Sequence, residues 1–273
     1  MPLTFNKAPL VEIVAELRWN QSITVAPAKP GAVAGTQALI IGNSNKVEEF
    51  FMRFGGACYQ AGFQQTERLV PSGFALIPGQ AIYRYKKGDA NASELLQVGA
   101  GIFSANAIPP YKSWTEFAPV VEQGIEALLK ARDQSEQEIP FSSVSLRYID
   151  AFGPELLAGR EMSAFVTDVL GFSINLPSSV KALTPDGLTA TSFIQIKLPV
   201  YKGLVVSISI GEGLVNNAPA VIMDTIVVAN TEVAPTLKAA MDALNAARAV
   251  IHTMFMEMTK PLHTVMQPSG DKS

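Results

Sequence analysis

A few charged side chains sit on strand-like stretches of this chain, and their types and spacing make them the first candidates for chemistry. In PLVEIVAELRW, read as a strand, Val11, Ile13, Ala15, Leu17 and Trp19 form one apolar face. Glu12, Glu16 and Arg18, interrupted by Val14, form the other. Arg147, in LRYID, shares its face with Ser145 and Ile149. Asp224, in VIMDTIVV, shares its face with Ile222, Ile226 and Val228, where a carboxylate needs a cation or hydrogen bonds to stay ionised. If these strands are neighbours, Glu16, Arg18, Arg147 and Asp224 meet on one sheet face. They then form either a polar binding site for a small charged ligand or an ion-pair network that fixes strand register and holds no ligand.

Other chemistry is thinner. IIGNSNKVEEF is similar to the entry motif with which inosine triphosphate pyrophosphatases hold nucleotide phosphates, and Gly42, Asn43, Lys46, Glu49 and Phe50 fit its spacing. No later acidic metal-binding motif accompanies it, and Asn43 and Ser44 serve equally well as helix caps. His252 and His263 are separated by about 16 Å of helical rise, too far to share a metal. Cys58, the only cysteine, lies on an apolar stripe with Phe50, Phe51 and Phe54, the setting of an inert buried thiol. There is no Gly-x-Ser-x-Gly elbow and no Walker A loop. No metal and no cofactor is expected. Two further groups either pack into the core or anchor a partner: Tyr111 and Trp114 at a helix start, and Met254 and Met256 near the C-terminus.

The elements that must position these residues are legible from periodicity. ALII reads as a short strand after the opening one. NKVEEFFMRFGGACYQAGF is a helix by the spacing of Val47, Phe50, Phe51, Phe54, Cys58 and Ala61, with Gly55-Gly56 expected to weaken or kink it. GFALIPGQAIYRY and SELLQVGAGIFSAN read as strands, the first divided at Pro78-Gly79. A helix opens at Ser113 with a capping box to Glu116 and buries Phe117, Val121, Ile125 and Leu128. KARDQSEQE then reads as its solvated end and a linker, which sets the boundary between halves 1–138 and 139–273.

The second half repeats the order. FSSVSLRYIDAF is a strand and EMSAFVTDVLGF a helix. LTATSFIQIKLPV and GLVVSISIG form a hairpin through Tyr201-Lys202-Gly203, and PAVIMDTIVVAN is a further strand. The closing helix from Pro235 carries the stripe Leu237, Met241, Leu244, Ile251, Phe255 and Met258, interrupted by Arg248, with Met254 and Met256 off it. The expected fold class is α+β, in two similar halves that are each an antiparallel sheet with helices packed on one side.

APLVEIVAELRW, LQVGAGIFSANAIPPYKSWTEF, VSLRYIDAF, AVIMDTIVV and the terminal helix through MTKPLHTVM together resemble a sporadically distributed bacterial family of uncharacterised proteins of roughly this length. The loop Gln21 to Thr36 has no counterpart in that resemblance. It implies a two-half α+β protein and brings no activity or catalytic residues with it.

Composition bounds the function. Charged residues are 16% of the 273, against roughly 25% in soluble domains, and mean hydropathy is +0.22. Either the core is large or apolar surface is covered by another subunit. A net charge of -3 and a pI near 5.5 argue against a nucleic-acid partner. Glu12 and Glu16 break any N-terminal signal segment, and Glu212, Asn216 and Asn217 break the most apolar stretch, so neither secretion nor a membrane span is expected. A single cysteine fits a reducing cytoplasm. The expectation is a cytoplasmic, non-enzymatic binding or assembly protein, self-associating as a homo-oligomer or bound to a protein partner. The alternative is a sensor or enzyme for a small polar ligand, using Glu16, Arg18, Arg147 and Asp224.

Overall fold

Alternation along β1 (Leu10–Trp19) is the rule from which the architecture grows. Ile13, Ala15 and Leu17 are fully buried and Trp19 nearly so, whereas Val14 and Glu16 are half-exposed and Arg18 is exposed. The computed structural model describes residues 4–20, 44–71, 74, 77–88, 93–109, 113–173, 175–183, 185 and 192–269. The chain continues with α1 (Ser44–Gln60), β2 (Gln65–Arg68), β3 (Ala81–Lys86), β4 (Glu94–Gly99), β5 (Ile102–Ala107) and α2 (Trp114–Ala131). Next come β6 (Phe141–Phe152), α3 (Pro154–Leu157), α4 (Met162–Asp168), α5 (Ser178–Lys181), β7 (Ile194–Val200), β8 (Leu204–Val215), β9 (Ala218–Ala229), α6 (Leu237–Met258) and α7 (His263–Met266).

The protein is α+β. Its nine described strands form one open antiparallel sheet in the order β2-β3-β4-β5-β1-β6-β9-β8-β7. Outward from β1 come β5, β4, β3 and β2; outward from β6 come β9, β8 and β7. The two sequence halves therefore trace the same path, each with its first strand beside its own last one.

By compactness the chain divides into two units that are discontinuous in sequence. One comprises Val14–Leu146 and Val228–Ala247. Here α1 and α2 cover the alternate side chains of the strands: Phe54 meets Tyr85 at 5.4 Å and Phe103 at 6.0 Å, and Phe50 meets Trp19 at 6.2 Å. Helix α1 runs unbroken through Gly55-Gly56, against expectation. Gly55 is there for space, since a Cβ would lie 3.3 Å from the Tyr85 ring and hydroxyl. The Ser113 cap forms as expected, its side chain accepting from the Glu116 N–H.

Two readings of this unit are corrected. SELLQVGAGIFSAN is two strands joined at Ala100-Gly101, where Gly101 adopts φ 75°, a left-handed value that glycine tolerates. The part of GFALIPGQAIYRY that follows the Pro78-Gly79 turn is β3, from Ala81, while Gly73, Ala75 and Leu76 lie outside the described residues. β2, QTER, has no apolar residue and gave no strand signal; among the described strands it is an exposed edge strand pairing only with β3. ALII lies outside the described residues.

The other unit comprises Met1–Ile13, Arg147–Val227 and Arg248–Ser273. Its hairpin β7–β8 turns at Tyr201-Lys202-Gly203, as expected. β8 and β9 turn at Asn216-Asn217, both with positive φ (51° and 63°), the two-residue geometry that matches strand twist. Phe152 packs on Phe165 at 5.2 Å. The N-terminal segment is tied to the C-terminal one: Asn6 and Lys7 N–H groups donate to the Gln267 and Met266 carbonyls, and Phe5 stacks on His263 at 5.0 Å.

Gly124 tests how α2 is seated. A Cβ there would lie 2.5 Å from the Phe103 ring and 2.9 Å from Leu96. Gly124→Ala therefore destabilises the protein by about 1–3 kcal/mol through overpacking, despite alanine's better helix propensity. Chemical denaturation measures it, and a gain in stability would show that α2 does not sit on Phe103.

Candidate functional site

Arg147 and Asp224 come together because β6 and β9 are neighbours and both residues lie on the less-buried sheet face. Arg147 Nε donates to Asp224 Oδ1 at 2.8 Å and Nη2 donates to Oδ2 at 2.6 Å, a fork-on-carboxylate pair. The side chains are 43% and 22% exposed. Along the same strands Val221, Met223 and Val227 are buried, as are Val206, Ile208 and Ile210 of β8. Ile222, Ile226, Val205, Ser207 and Ser209 are only half-buried. The cation that the apolar setting of Asp224 demanded is Arg147.

Glu16 and Arg18 form a second pair, in the unit Val14–Leu146 and Val228–Ala247, with Arg18 Nε donating to Glu16 Oε1 at 2.6 Å. Gly79 makes room for this arginine, since a Cβ there would be 2.9 Å from Nη1. The same unit holds a polar row that sequence reading passed over. Glu67, Arg84, Gln97 and Ser104 are register partners across β2 to β5. Arg84 Nη1 donates to Glu67 at 3.3 Å, and Arg84 Nε donates to Gln97 at 3.0 Å with the amide oxygen turned toward the guanidinium.

Of the interface candidates, Trp114 is half-buried. Its Nε1 donates to Asn245 Oδ1 at 2.8 Å and its ring stands edge-on to Phe117. Met254 and Met256 are both half-buried on α6, and Tyr111 lies outside the described residues. The buried stripe of α6 is Ala240, Met241, Leu244, Ala247, Val250 and Ile251. Arg248 does not interrupt it, because Ala247 occupies the stripe. Met254, one heptad beyond Ala247, continues its line.

KARDQSEQE is not wholly solvated. Arg132, the C-cap of α2, is 2% exposed and lies between two rings, 5.5 Å from Trp19 and 5.3 Å from Phe141. The signal was present: Arg132 continues the helical stripe Phe117, Val121, Ile125, Leu128. Its Nη2 donates to the Ile139 carbonyl at 2.8 Å, and burial lowers its pKa. Asp150 was likewise passed over. It is 3% exposed on the buried face of β6, and burial pushes its carboxyl up to about 7.

The remaining candidates are structural. Phe50 is core, Lys46 pairs with Asp133 at 3.4 Å and Glu49 with Arg53 at 3.9 Å, while Gly42 and Asn43 lie outside the described residues. Cys58 is fully buried, which pushes its thiol up to about 12. Burial and the neighbouring Arg248 lower the pKa of His252. No group of three His, Cys, Asp or Glu among the described residues is placed to hold a metal ion. A cleft of about 370 Å³ opens in the unit Met1–Ile13, Arg147–Val227 and Arg248–Ser273, lined by Lys7, Leu10, Ala151, Glu155 and Val215 among others. Lys7 and Glu155 pair at it, and Arg147 and Asp224 do not line it. No protein-family model, curated protein or solved structure matches the chain.

Two measurements follow from these charges. In a double-mutant cycle, Arg147→Ala and Asp224→Ala couple by about 1 kcal/mol, a value that shrinks in high salt because the arginine is partly exposed. A coupling of zero would deny the pair any part in stability. Asp150 has the opposite pH sign to a paired carboxylate. Its folded pKa lies above the ordinary 3.8, so its protonated form stabilises the fold at low pH and that contribution is lost as pH rises through about 7. Asp150→Asn therefore matches the wild type near pH 4 and exceeds it at pH 8, by on the order of 4 kcal/mol at most. Thermal unfolding across this range checks the difference, and equal curves at pH 8 would refute it.

Proposed function

We propose that the protein is a non-enzymatic binding or assembly protein, and that its partner, in the first instance a second copy of itself, docks on the open sheet face around Arg147 and Asp224. The observation that carries this reading is the contrast between the two faces of β8 and β9. Val206, Ile208, Val221 and Val227 are buried to within 1% exposure, whereas the aliphatic Val205, Ile222 and Ile226 on the opposite face are only half-buried. An apolar face of this kind in a chain this poor in charge is suited to a protein contact. Arg147 beside Asp224 makes the patch self-complementary, since a two-fold axis would bring each guanidinium to the other copy's carboxylate. At the sheet edge Phe193 adds exposed apolar area, 72% exposed.

A cytoplasmic setting without nucleic-acid or membrane partners belongs to the same reading. No helix among the described residues is long and apolar enough to cross a membrane. Membership of the bacterial family that PLVEIVAELRW and LRYID resemble is also part of it, and carries no activity with it. The cleft at Lys7 and Glu155 favours a second reading, a sensor or enzyme for a small polar ligand, whose charged groups there would be those two side chains.

Size-exclusion chromatography with light scattering tests the assembly. The wild type runs as a dimer or larger, and Ile226→Arg yields a monomer with little change in Tm, because Ile226 is on the half-buried face. A wild type that is monodisperse and monomeric at all accessible concentrations would sink self-association.

A further inference from the structure

The cleft in the unit Met1–Ile13, Arg147–Val227 and Arg248–Ser273 has about 370 Å³ of room, at the small end of the range for ligand sites. Its lining carries two polar side chains, Lys7 and Glu155. Every other lining residue is glycine, alanine, proline, valine or leucine. Both charges stand on backbone that is already held. The Lys7 N–H donates to the Met266 carbonyl at 3.0 Å, and the Ala151 N–H donates to the Pro9 carbonyl at 2.7 Å, which fastens two walls of the cleft to each other. Glu155 lies in the first turn of α3, anchored by the buried Leu156 and Leu157. The site is thus formed before anything enters it, which lowers the ordering cost of binding.

Lys7 and Glu155 pair with each other, with side chains 44% and 64% exposed. An ion pair this open contributes little to stability, so separating it costs little. The charge of the ligand then decides whether separation is favourable. A ligand with one charge engages one partner and leaves the other without its counter-charge. A zwitterion presents an ammonium to Glu155 and a carboxylate to Lys7, so each charge exchanges one partner for another. The aliphatic lining accepts a short apolar side chain and has no side-chain hydrogen bond to give to sugar hydroxyls. We propose that the cleft binds a free α-amino acid with an aliphatic side chain, its ammonium on Glu155, its carboxylate on Lys7 and its side chain against Leu10, Ala151 and Val215. This rests on the reading of the cleft as a site for a small polar ligand, and names the ligand class.

Isothermal titration calorimetry of the full chain tests it with L-leucine, with isocaproate and isoamylamine (leucine without its ammonium and without its carboxylate), and with glucose and succinate. L-leucine binds, and each single-charge analogue binds at least about tenfold more weakly. Lys7→Met and Glu155→Gln each weaken L-leucine by a similar factor, while their unliganded Tm stays near that of the wild type because the pair is exposed. Undiminished L-leucine binding in both variants overturns the site. Equal binding of L-leucine and either analogue, or binding of glucose or succinate in its place, overturns the amino acid and keeps the cleft as a ligand site. Binding of none of the five overturns both.

Discussion

Burial of a single face of a long antiparallel sheet is the constraint on which the rest of this structure depends. Side chains alternate across a strand, so covering one face fixes the character of every second residue in the chain's strands. Ile13, Ala15 and Leu17 of β1 obey it, as do Leu204, Val206, Ile208 and Ile210 of β8. Helices α1 and α2 cover that face in one unit so closely that at Gly124 side chains of the strands stand in the place of a Cβ, and at Gly55 a Cβ would lie 3.3 Å from the Tyr85 ring. The opposite face escapes this demand, and it holds the charge pairs and the half-buried aliphatics on which the proposed docking rests.

Charge in this protein is handled by pairing on one face and by enclosure on the other. Arg147 and Asp224, like Arg18 and Glu16, meet on strands at hydrogen-bond distance where solvent still reaches them, so their desolvation is modest and their Coulomb gain is modest too. Arg132 and Asp150 are buried in opposite ways. Arg132 lies between two aromatic rings with one carbonyl acceptor, and Asp150 responds to burial by holding its proton more strongly.

Sequence reading succeeded where one local signal decided the outcome. The β1 and β8 alternations, the Ser113 cap, the turn at Tyr201 to Gly203 and the inert setting of Cys58 all depend on near neighbours in the chain. It failed where the deciding group was distant. Gly55-Gly56 predicted a kink because the Tyr85 ring that needs the space is thirty positions away. Arg132 continued a helical stripe, but the Trp19 and Phe141 rings that enclose it lie far off in the chain on strands β1 and β6. β2 was missed because an edge strand with exposed faces needs no apolar residue.

The sequence by itself determined the α+β class, most element types and the requirement that Asp224 find a cation, since these follow from periodicity and from the cost of an unpaired carboxylate among aliphatics. Only the tertiary structure decided that the cation is Arg147 and that Arg132 is buried. Strand order makes those choices. Which strands become neighbours depends on how the whole sheet closes over its buried face, and no window of adjacent residues contains that information.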